Sequence, residues 1–562
     1  MKKILFILIL ITTYSCSSIR FDDSYLNYSG SEIDKKFNES QRNDWHNLDL
    51  NYDSIPGMSV ERAYNELLKG RKGKKVIVAV IDAGIDINHE DIKDVIWVNK
   101  DEIPDNNIDD DGNGFIDDIN GWNFLGESYN ETLEMTRLIR DNLNKNRRYD
   151  SAKKTIKSKL DDRKKNIDFY NNLISQIENA SEMIKTFLGK DSFSNEDLEN
   201  IMTNDSIVLD SKKMIQYYNS IDVDVDYLRE GIEYFSDQIN YHYNINFNGR
   251  DIVGDNIYDI NDTNYGDSRV LHSKKSENHG THVAGIIAGI RNNNIGNNGV
   301  NNNLEIMALR AVPNGDEYDK DIALAIRYAV DNGARIINMS FGKSYSSNPE
   351  WVIDAIKYAD ENNVLIVHAA GNDAEDLDVI ENENYPNDQY LGKDEFSNNF
   401  ITVGASTINY NKNLIASFSN YGSDNVDVFA PGYNVYSLLP ENDYESLSGT
   451  SMAAPAVSGV ASLILSYFPR ITAQKLKSII LESGLKVDIK INHDEKENIY
   501  LAKVKDYQVE LIDNNNEIID YTNKQNSNLK NNMLKSYDLY LNSRYNVTLN
   551  QKTIERVKNF FQ

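Results

Sequence analysis

Residues 449–455 read Gly-Thr-Ser-Met-Ala-Ala-Pro, a turn of small residues that leads into an apolar helical pattern. Apolar residues recur at three- and four-residue steps from Val457 to Ile464, which predicts one buried helical face. Ser451 therefore stands at the N-terminus of a helix, where the first backbone N–H groups have no partner within the helix and carry partial positive charge. A simpler interpretation is that Ser451 only caps the helix, as serines at this position commonly do.

Two further stretches also place a polar residue at the end of a regular element. Residues 76–84 read Val-Ile-Val-Ala-Val-Ile-Asp-Ala-Gly, which is typical of a buried strand that ends in a carboxylate and a turn. Residues 279–285 read His-Gly-Thr-His-Val-Ala-Gly and begin a second helical pattern. Asp82, His279 and Ser451 thus follow in the order of one known type of Asp, His and Ser catalytic triad.

These three stretches resemble the motifs of the subtilase family of serine peptidases in both their residues and their order along the chain. A fourth stretch, residues 368–372 with the sequence His-Ala-Ala-Gly-Asn, resembles the oxyanion-hole segment of that family. The resemblance implies that Ser451 is the nucleophile, that His279 is its general base and that Asp82 orients the histidine. It also implies that the Asn372 amide stabilises the oxyanion.

The resemblance extends to a substrate-binding strand and has one departure. Ser340, Phe341 and Gly342 resemble the strand along which an extended peptide binds through main-chain hydrogen bonds, so protein or peptide substrates are the expected partners. Ala83 stands where the family usually has Ser or Thr. A hydroxyl that could bond the Asp82 carboxylate is therefore missing, which weakens the orientation of that carboxylate without removing it.

Strand and helix patterns alternate from His279 onwards. The predicted strands are 305–312, 334–341, 364–370, 400–405 and 426–430, and the predicted helices are 319–332 and 351–362. This alternation predicts a parallel sheet with helices on both faces. The resemblance implies the α/β, three-layer subtilisin-like fold with a central, mainly parallel sheet. Functional groups gather at the carboxyl ends of such strands, where Asp82, Ser340 and Asn372 stand.

The composition limits the classes of partner. The 562 residues include 59 Lys and Arg against 87 Asp and Glu, for a formal net charge of −28. Phosphate backbones bind clustered positive charge, so this balance argues against nucleic acid as a partner. The length accommodates one large catalytic domain with additions, or two to three modest domains.

The N-terminus has the pattern of a secretory signal. Two lysines precede an apolar run from Ile4 to Ile11, which is too short to span a bilayer. Cys16 is the single cysteine of the chain and resembles the lipid-attachment site of bacterial lipoproteins, although Thr13 stands where that pattern prefers Leu. We therefore expect residues 1–16 to be a signal with lipidation at Cys16, although a secreted protein with an incidental cysteine is the alternative.

A lipid at Cys16 would attach the chain to a membrane of the bacterial cell envelope, at the outer membrane or cell surface. Residues 17–51 are polar, without sustained periodicity, and predict a tether. The segment between Cys16 and Val76 is short for a folded propeptide, so none of the conventional kind is expected. Residues from Trp45 to Gly73 have a partly helical pattern and are expected to pack against the catalytic domain.

Residues 109–118 form an acidic loop with the sequence Asp-Asp-Asp-Gly-Asn-Gly-Phe-Ile-Asp-Asp. Its spacing resembles the first half of a calcium loop, and the candidate ligands are Asp109, Asp111, Asn113 and Asp117. The twelfth position is Asn120 instead of a bidentate Glu, so the loop is not a complete EF-hand. Crowded carboxylates repel one another unless a cation binds them, which favours calcium over a solvated acidic turn.

Residues 127–247 interrupt the catalytic domain, which is predicted to comprise 52–126 and 248–485. Apolar residues recur at three- and four-residue steps from Ile156 to Leu188, which predicts long amphipathic helices in an inserted α-helical hairpin. The apolar stripe either closes against the second helix of the hairpin or binds a partner. In the second case the chain could be a weakly active or inactive envelope binding protein.

Residues 486–562 form a polar C-terminal extension to which the sequence assigns no function. A strand is predicted near 504–509 and a short helix near 554–561.

Overall fold

The computed structural model describes residues 32–33, 36–220, 223–271, 276–389 and 394–487, and the backbone of 501–505 and 508–512. The predicted signal with Cys16 and the helix predicted at 554–561 lie outside the described residues.

Seven strands form one sheet in the order β2-β3-β1-β4-β5-β6-β7, and every neighbouring pair is parallel. These strands are β1 (Val76–Asp82), β2 (Gly121–Asn123), β3 (Leu304–Arg310), β4 (Ile336–Met339), β5 (Leu365–Ala369), β6 (Phe400–Ser406) and β7 (Val428–Pro431). Most are buried runs of apolar residues, as a sheet covered on both faces requires. The predicted α/β fold with a central parallel sheet is confirmed.

The described helices cover both faces of the sheet and form the insertion. They are α1 (Glu39–Asn43), α2 (Leu50–Asp53), α3 (Val60–Arg62), α4 (Glu134–Arg140), α5 (Tyr149–Leu188), α6 (Asn195–Glu199), α7 (Ser206–Ser220), α8 (Val225–Asp237), α9 (His279–Ala288), α10 (Asp319–Asp331), α11 (Pro349–Glu361), α12 (Thr450–Tyr467) and α13 (Ala473–Ser483).

Successive side chains of β1 point into two different cores. Val78 and Val80 belong to a core that α9, α12 and α13 cover, whereas Ala79 and Ile81 belong to a core that α10 and α11 cover. The three layers follow from this alternation. Most strands are buried on both sides, and because all seven are parallel their carboxyl ends lie at one edge of the sheet.

α12 is the central helix of the first core. Among the described residues it is the one helix long and apolar enough to cross a membrane by length and composition, yet 78% of that stretch is buried inside the protein. Its apolar character is therefore explained by packing under the sheet, where it contacts β1 and β4 to β7.

Two antiparallel hairpins lie outside the central sheet. β8 (Val435–Leu439) pairs with β9 (Asp443–Leu447), and this hairpin packs on α9. β10 (Leu501–Lys505) pairs with β11 (Gln508–Ile512), where the sequence predicts a single strand. β9 is mostly exposed and its residues follow no regular apolar pattern, so it carries a weaker sequence signal than a buried strand.

The insertion contains one long helix, as predicted, but its return arm is broken. α5 is 40 residues long and packs against both α7 and α8. α8 begins at the N-cap Asp224, whose carboxylate accepts a hydrogen bond from the Tyr227 N–H at 2.8 Å. The hairpin therefore closes on itself through two shorter helices, and its apolar stripe is partly buried between them.

Part of the predicted tether is packed instead. Trp45 is buried, and its indole N–H donates to the Asn434 carbonyl at 3.2 Å. The Asn47 amide donates to the Asn298 carbonyl at 2.7 Å. This packing agrees with the expectation that residues from Trp45 onwards pack against the catalytic domain, and it shortens the tether predicted at 17–51, because one buried aromatic side chain and its polar neighbours fix these last residues to the domain.

Candidate active site

Asp82 and His279 contact each other at the carboxyl end of β1. His279 is the first residue of α9, and its Nδ1 lies 2.8 Å from Asp82 Oδ1 and 3.0 Å from Oδ2. The Asp82 side chain is buried and accepts a further bond from the Ala83 N–H at 2.8 Å. The backbone N–H thus bonds the carboxylate at the position where Ala83 lacks a hydroxyl.

Gly280 permits this close approach of α9 to β1. A Cβ atom at this position would lie 2.3 Å from the Gly84 carbonyl oxygen and 3.1 Å from Asp82 Cβ, closer than packed atoms allow. The glycine after His279 is therefore a geometric requirement of the Asp82–His279 contact.

The Asp82 carboxylate sets the protonation of His279. Burial lowers the pKa of the imidazole, but the negative charge of Asp82 and its hydrogen bond outweigh burial and raise the pKa above its ordinary value. The His279 side chain remains 35% exposed, so the ring edge away from Asp82 is accessible to a bound molecule.

Ser451 lies beside β4 at the start of α12. Its hydroxyl donates to the Ser340 carbonyl at 2.9 Å, and the Ser340 hydroxyl donates to the Ser451 carbonyl at 2.8 Å. In the described part of the chain no hydrogen bond joins Ser451 to His279. Ile81 pairs with Met339 in neighbouring strands, so Asp82 and Ser340 continue that register about 4.8 Å apart. Ser451 and the Asp82–His279 pair therefore lie at one edge of the sheet.

Asn372 and the Ser451 backbone place two nitrogen donors near one point. The Asn372 carbonyl oxygen accepts bonds from the Thr450 N–H at 2.9 Å and the Thr450 hydroxyl at 3.1 Å, which fixes the orientation of the amide. Asn372 Nδ2 and the Ser451 nitrogen each lie 3.6 Å from the place that a Cβ on Gly449 would occupy. Because Gly449 has no side chain, no Cβ fills this position.

The sequence profile of the Subtilase family matches residues 73–499, about three quarters of the chain. The chain belongs to the subtilase family.

Several curated proteins are similar to this subtilase. A thermophilic serine proteinase from Bacillus sp. (strain AK1) is 40% identical over 219 residues, 39% of this chain and 46% of that protein. The halolysin-like extracellular serine protease Nep from Natrialba magadii is 34% identical over 280 residues, 50% of this chain and 46% of that protein. Subtilisin DY from Bacillus licheniformis is 36% identical over 201 residues, 36% of this chain and 68% of that protein. The chain thus spans less than half the length of the first two relatives.

The predicted substrate strand of this subtilase continues β4. Ser340 is buried, Phe341 packs against the second core, and Gly342 lies against the Asn384 amide. The next residue, Lys343, forms ion pairs with Asp319 at 2.9 Å and Glu134 at 3.2 Å, so its ammonium is internal. Burial disfavours the charge, but these carboxylates outweigh it and raise the pKa of Lys343.

The other buried histidines near the site have structural contacts. His282 Nε2 lies 3.1 Å from the Glu445 carbonyl, and burial lowers the pKa of this histidine to about 3, so it is neutral. His89 packs edge-on against the Tyr444 ring, and burial lowers its pKa as well. Both rings face the β8–β9 hairpin.

The acidic loop of this subtilase brings three carboxylates together. Oxygens of Glu102, Asp109 and Asp111 lie within 4.8 Å of one another. Asp117 is outside this group, and its oxygens accept hydrogen bonds from the Asn106 and Asn107 N–H groups at 3.1 and 2.9 Å.

Asn113 faces Asp111 with its amide nitrogen, which donates to Asp111 Oδ2 at 3.1 Å, and not with its carbonyl oxygen. Its carbonyl oxygen accepts a bond from the Phe115 N–H at 2.7 Å. The sequence did not single out Glu102, which precedes the loop by seven residues and has no periodic relation to it. Its carboxylate accepts bonds from the Asp110 and Asp111 N–H groups at 2.7 and 3.1 Å, and this folds it over the loop.

Proposed function

We propose that this subtilase is a serine endopeptidase that hydrolyses peptide bonds of proteins through an acyl-enzyme on Ser451. The observation that carries the proposal is the contact of His279 with Asp82 at the edge of the sheet where Ser451 stands. The two N–H donors beside Ser451 support it, because acyl transfer develops negative charge on the substrate oxygen.

In the first step Ser451 exchanges its bond to the Ser340 carbonyl for one to His279 Nε2. The serine oxygen attacks the carbonyl carbon while Nε2 takes its proton, and Asp82 stabilises the resulting imidazolium. The substrate oxygen becomes an oxyanion that accepts hydrogen bonds from Asn372 Nδ2 and the Ser451 N–H. His279 then gives the proton to the leaving amine, and the peptide bond breaks.

Water then hydrolyses the acyl-enzyme, and His279 again acts first as base and then as acid. His279 takes a proton from the water as its oxygen attacks the acyl carbon, and the second tetrahedral intermediate uses the same two N–H donors. When it collapses, His279 returns the proton to Ser451 and the carboxylic acid product leaves.

A fluorophosphonate probe tests this proposal, because it forms a covalent adduct only with a serine that a neighbouring base activates. We expect mass spectrometry to locate the adduct on Ser451 and expect Ser451→Ala and His279→Ala variants to remain unlabelled. Ser448→Ala removes an exposed serine three residues away and should retain labelling. Absence of an adduct in the natural sequence would favour the binding-protein alternative, which the Ser451–Ser340 bond and the missing hydroxyl at Ala83 make worth testing.

We further propose that the acidic loop binds one calcium ion. Glu102, Asp109 and Asp111 fit such an ion, because they supply hard carboxylate oxygens on one short stretch of chain. Calcium would neutralise their mutual repulsion and fix the loop, and it has no role in the proton transfers at Ser451.

We also propose that the protein is exported and lipid-anchored at Cys16. The basic and apolar pattern of residues 1–16 supports export, and the similarity to an extracellular protease is consistent with it. Mass spectrometry of the mature N-terminus tests both parts. A diacylated Cys16 supports the anchor, whereas an unmodified N-terminus downstream of residue 16 supports secretion without one.

A further inference from the structure

The first part of α5 and the turn before it carry a concentration of positive charge. Residues 145–165 contain ten Lys or Arg and three Asp, a net charge of +7 in a chain of net charge −28. We call this stretch the basic segment. Its side chains Lys153, Lys154, Lys157 and Lys159 are exposed, and within the described residues none of them forms an ion pair. Their charge is therefore available to a partner.

The basic segment is fixed to the loops that border the proposed active site. The Arg148 guanidinium donates to the Ser344 carbonyl and lies over the Tyr345 ring, 4.1 Å from its centroid. These partners lie two and three residues beyond Gly342, the last residue of the proposed substrate strand. Arg147 pairs with Glu383, the residue before Asn384, whose amide donates to the Ala369 and Ala370 carbonyls at 3.3 and 3.1 Å.

The positive charge of the basic segment also acts on a carboxyl group in the loop that carries Asn372. Glu375 follows Asn372 by three residues, and burial together with the charge of Asp373 raises the pKa of its carboxyl. The charges of Arg148 and Lys159 act on the same carboxyl in the opposite direction. Such effects are felt only over short distances, so the Lys159 ammonium lies near Glu375.

We propose that the basic segment is an exosite that binds an acidic stretch of the protein substrate while a neighbouring peptide bond lies at Ser451. This inference rests on the proposed peptidase function. A substrate chain bound along the strand that ends at Gly342 passes the loops to which Arg147 and Arg148 are fixed. The exposed lysines of α5 begin one helical turn further on.

The basic segment fits a short acidic stretch of a protein substrate better than it fits an extended polyanion. The Debye length at physiological ionic strength is about 8 Å, so a short acidic peptide on the lysines is attracted locally and screened from the rest of the surface. A membrane or a nucleic acid presents negative charge over a wider area. Much of that area would face a protein whose remaining residues sum to a strongly negative charge.

The test uses the full-length protein with two charge-reversal variants. The exosite variant is Lys153→Glu/Lys157→Glu/Lys159→Glu, and Glu suits an exposed helix as well as Lys does. The matched control is Lys69→Glu/Lys72→Glu/Lys74→Glu, an equal change of charge at exposed lysines before β1, at the opposite edge of the sheet. Circular dichroism checks the fold of both variants.

The substrates are two unfolded polypeptides that share a cleavable segment mapped beforehand in casein. One has twelve-residue Asp/Glu tracts on both sides of the segment, and the other has Gly/Ser tracts. We expect the natural sequence and the control variant to cleave the acidic substrate with about tenfold higher kcat/KM at low salt. The exosite variant should lose this preference through KM and cleave the Gly/Ser substrate at an unchanged rate.

The possible failures are distinguishable. If the natural sequence cleaves neither casein nor the two substrates and takes no fluorophosphonate, the peptidase proposal itself fails. If it cleaves both substrates equally well, or if the exosite variant keeps the preference, the exosite is overturned while the peptidase proposal stands. It is likewise overturned if the exosite variant retains its substrate preference but loses binding to phosphatidylglycerol vesicles or duplex DNA.

Discussion

Asp82 is the residue whose contacts make the clearest chemical prediction. Its charge keeps the pKa of His279 above the ordinary value, so the protonated imidazole is favoured in the folded protein. The proposed base must be neutral, and the acidic limb of the pH–rate profile should therefore lie above about 6.5, the usual value for histidine. The same interaction stabilises the fold at low pH and is lost as pH rises through the raised pKa.

Asp82→Asn removes that charge and nearly preserves the size of the side chain. We expect kcat to fall roughly 1000- to 10000-fold, because the amide no longer stabilises the imidazolium. The acidic limb should move to lower pH, because burial then acts on His279 without the opposing carboxylate. Steady-state kinetics from pH 5 to 9 measures both effects. An unchanged limb would show that Asp82 does not control the protonation of His279.

Sequence motifs could predict the catalytic candidates because each sits at the end of a strongly patterned element. The strand that ends at Asp82 and the helices that begin at His279 and Thr450 are all apolar enough to be identified from spacing alone. Thr450 as the partner that orients Asn372, and Glu102 as a member of the acidic group, could not be predicted in this way. Both contacts exist only after distant segments have folded against each other.

At the scale of elements, the packing of α9 against β1 depends on one absent side chain. Gly280→Ala would place a Cβ 2.3 Å from the Gly84 carbonyl, and the rigid backbone there cannot move aside without shifting the helix. We expect a loss of about 1–3 kcal/mol in the free energy of unfolding, together with a fall in kcat as His279 moves from Asp82. Urea denaturation and peptide hydrolysis measure the two effects.

Gly484→Ala is a suitable control for that change. Gly484 has a negative φ of −59°, and the nearest atom to its added Cβ lies 3.3 Å away at the Leu481 carbonyl. Gly484→Ala should therefore change the free energy of unfolding far less than Gly280→Ala does. Equal losses from the two substitutions would mean that the close approach at Gly280 does not govern the site.

The acidic loop makes a second prediction at this scale. Calcium at about 100 times its Kd should raise the free energy of unfolding by about 2.7 kcal/mol, and the melting temperature should rise with it. Glu102→Gln/Asp111→Asn should abolish this rise and increase stability in chelator, because two mutually repelling charges are gone. Asp101→Asn, at an exposed neighbouring carboxylate, should leave the response intact. Scanning calorimetry with and without calcium distinguishes the variants, and a calcium response that survives in the double variant would place the ion elsewhere.

Elements with little burial were the ones that the sequence could not define. Six of the seven strands of the central sheet and the helices α10 and α11 were predicted to within a few residues, whereas β2 was missed because it has only three residues. The β8–β9 hairpin was missed because its β9 residues are mostly exposed and lack a core-facing pattern. The two-helix return arm of the insertion was likewise beyond prediction, since its polar composition is compatible with one helix or several.

Over the whole molecule, the described residues pack into two large cores against the central sheet and a smaller, separate one inside the insertion. The outer part of α5 packs with α7 and α8 through residues such as Ile184, Val208 and Leu228, whereas neither large core includes these residues. The base of the insertion is different, because Leu138 and Ala152 pack with Tyr345 of the catalytic domain. The basic segment therefore lies at the fixed end of the insertion.

This division predicts unequal local stability. A small core with several exposed aromatic side chains, such as Phe169 and Tyr217, should open at a lower free energy than the central sheet. The opening free energy that amide exchange reports should therefore be several kcal/mol lower in α7 and α8 than in β4 and β5. The first turns of α5 should be protected more than its last turns, since Arg148 and Ala152 tie them to the catalytic domain. Hydrogen exchange with mass spectrometry resolves these peptides, and equal protection of α7 and β4 would mean that insertion and sheet unfold as one unit.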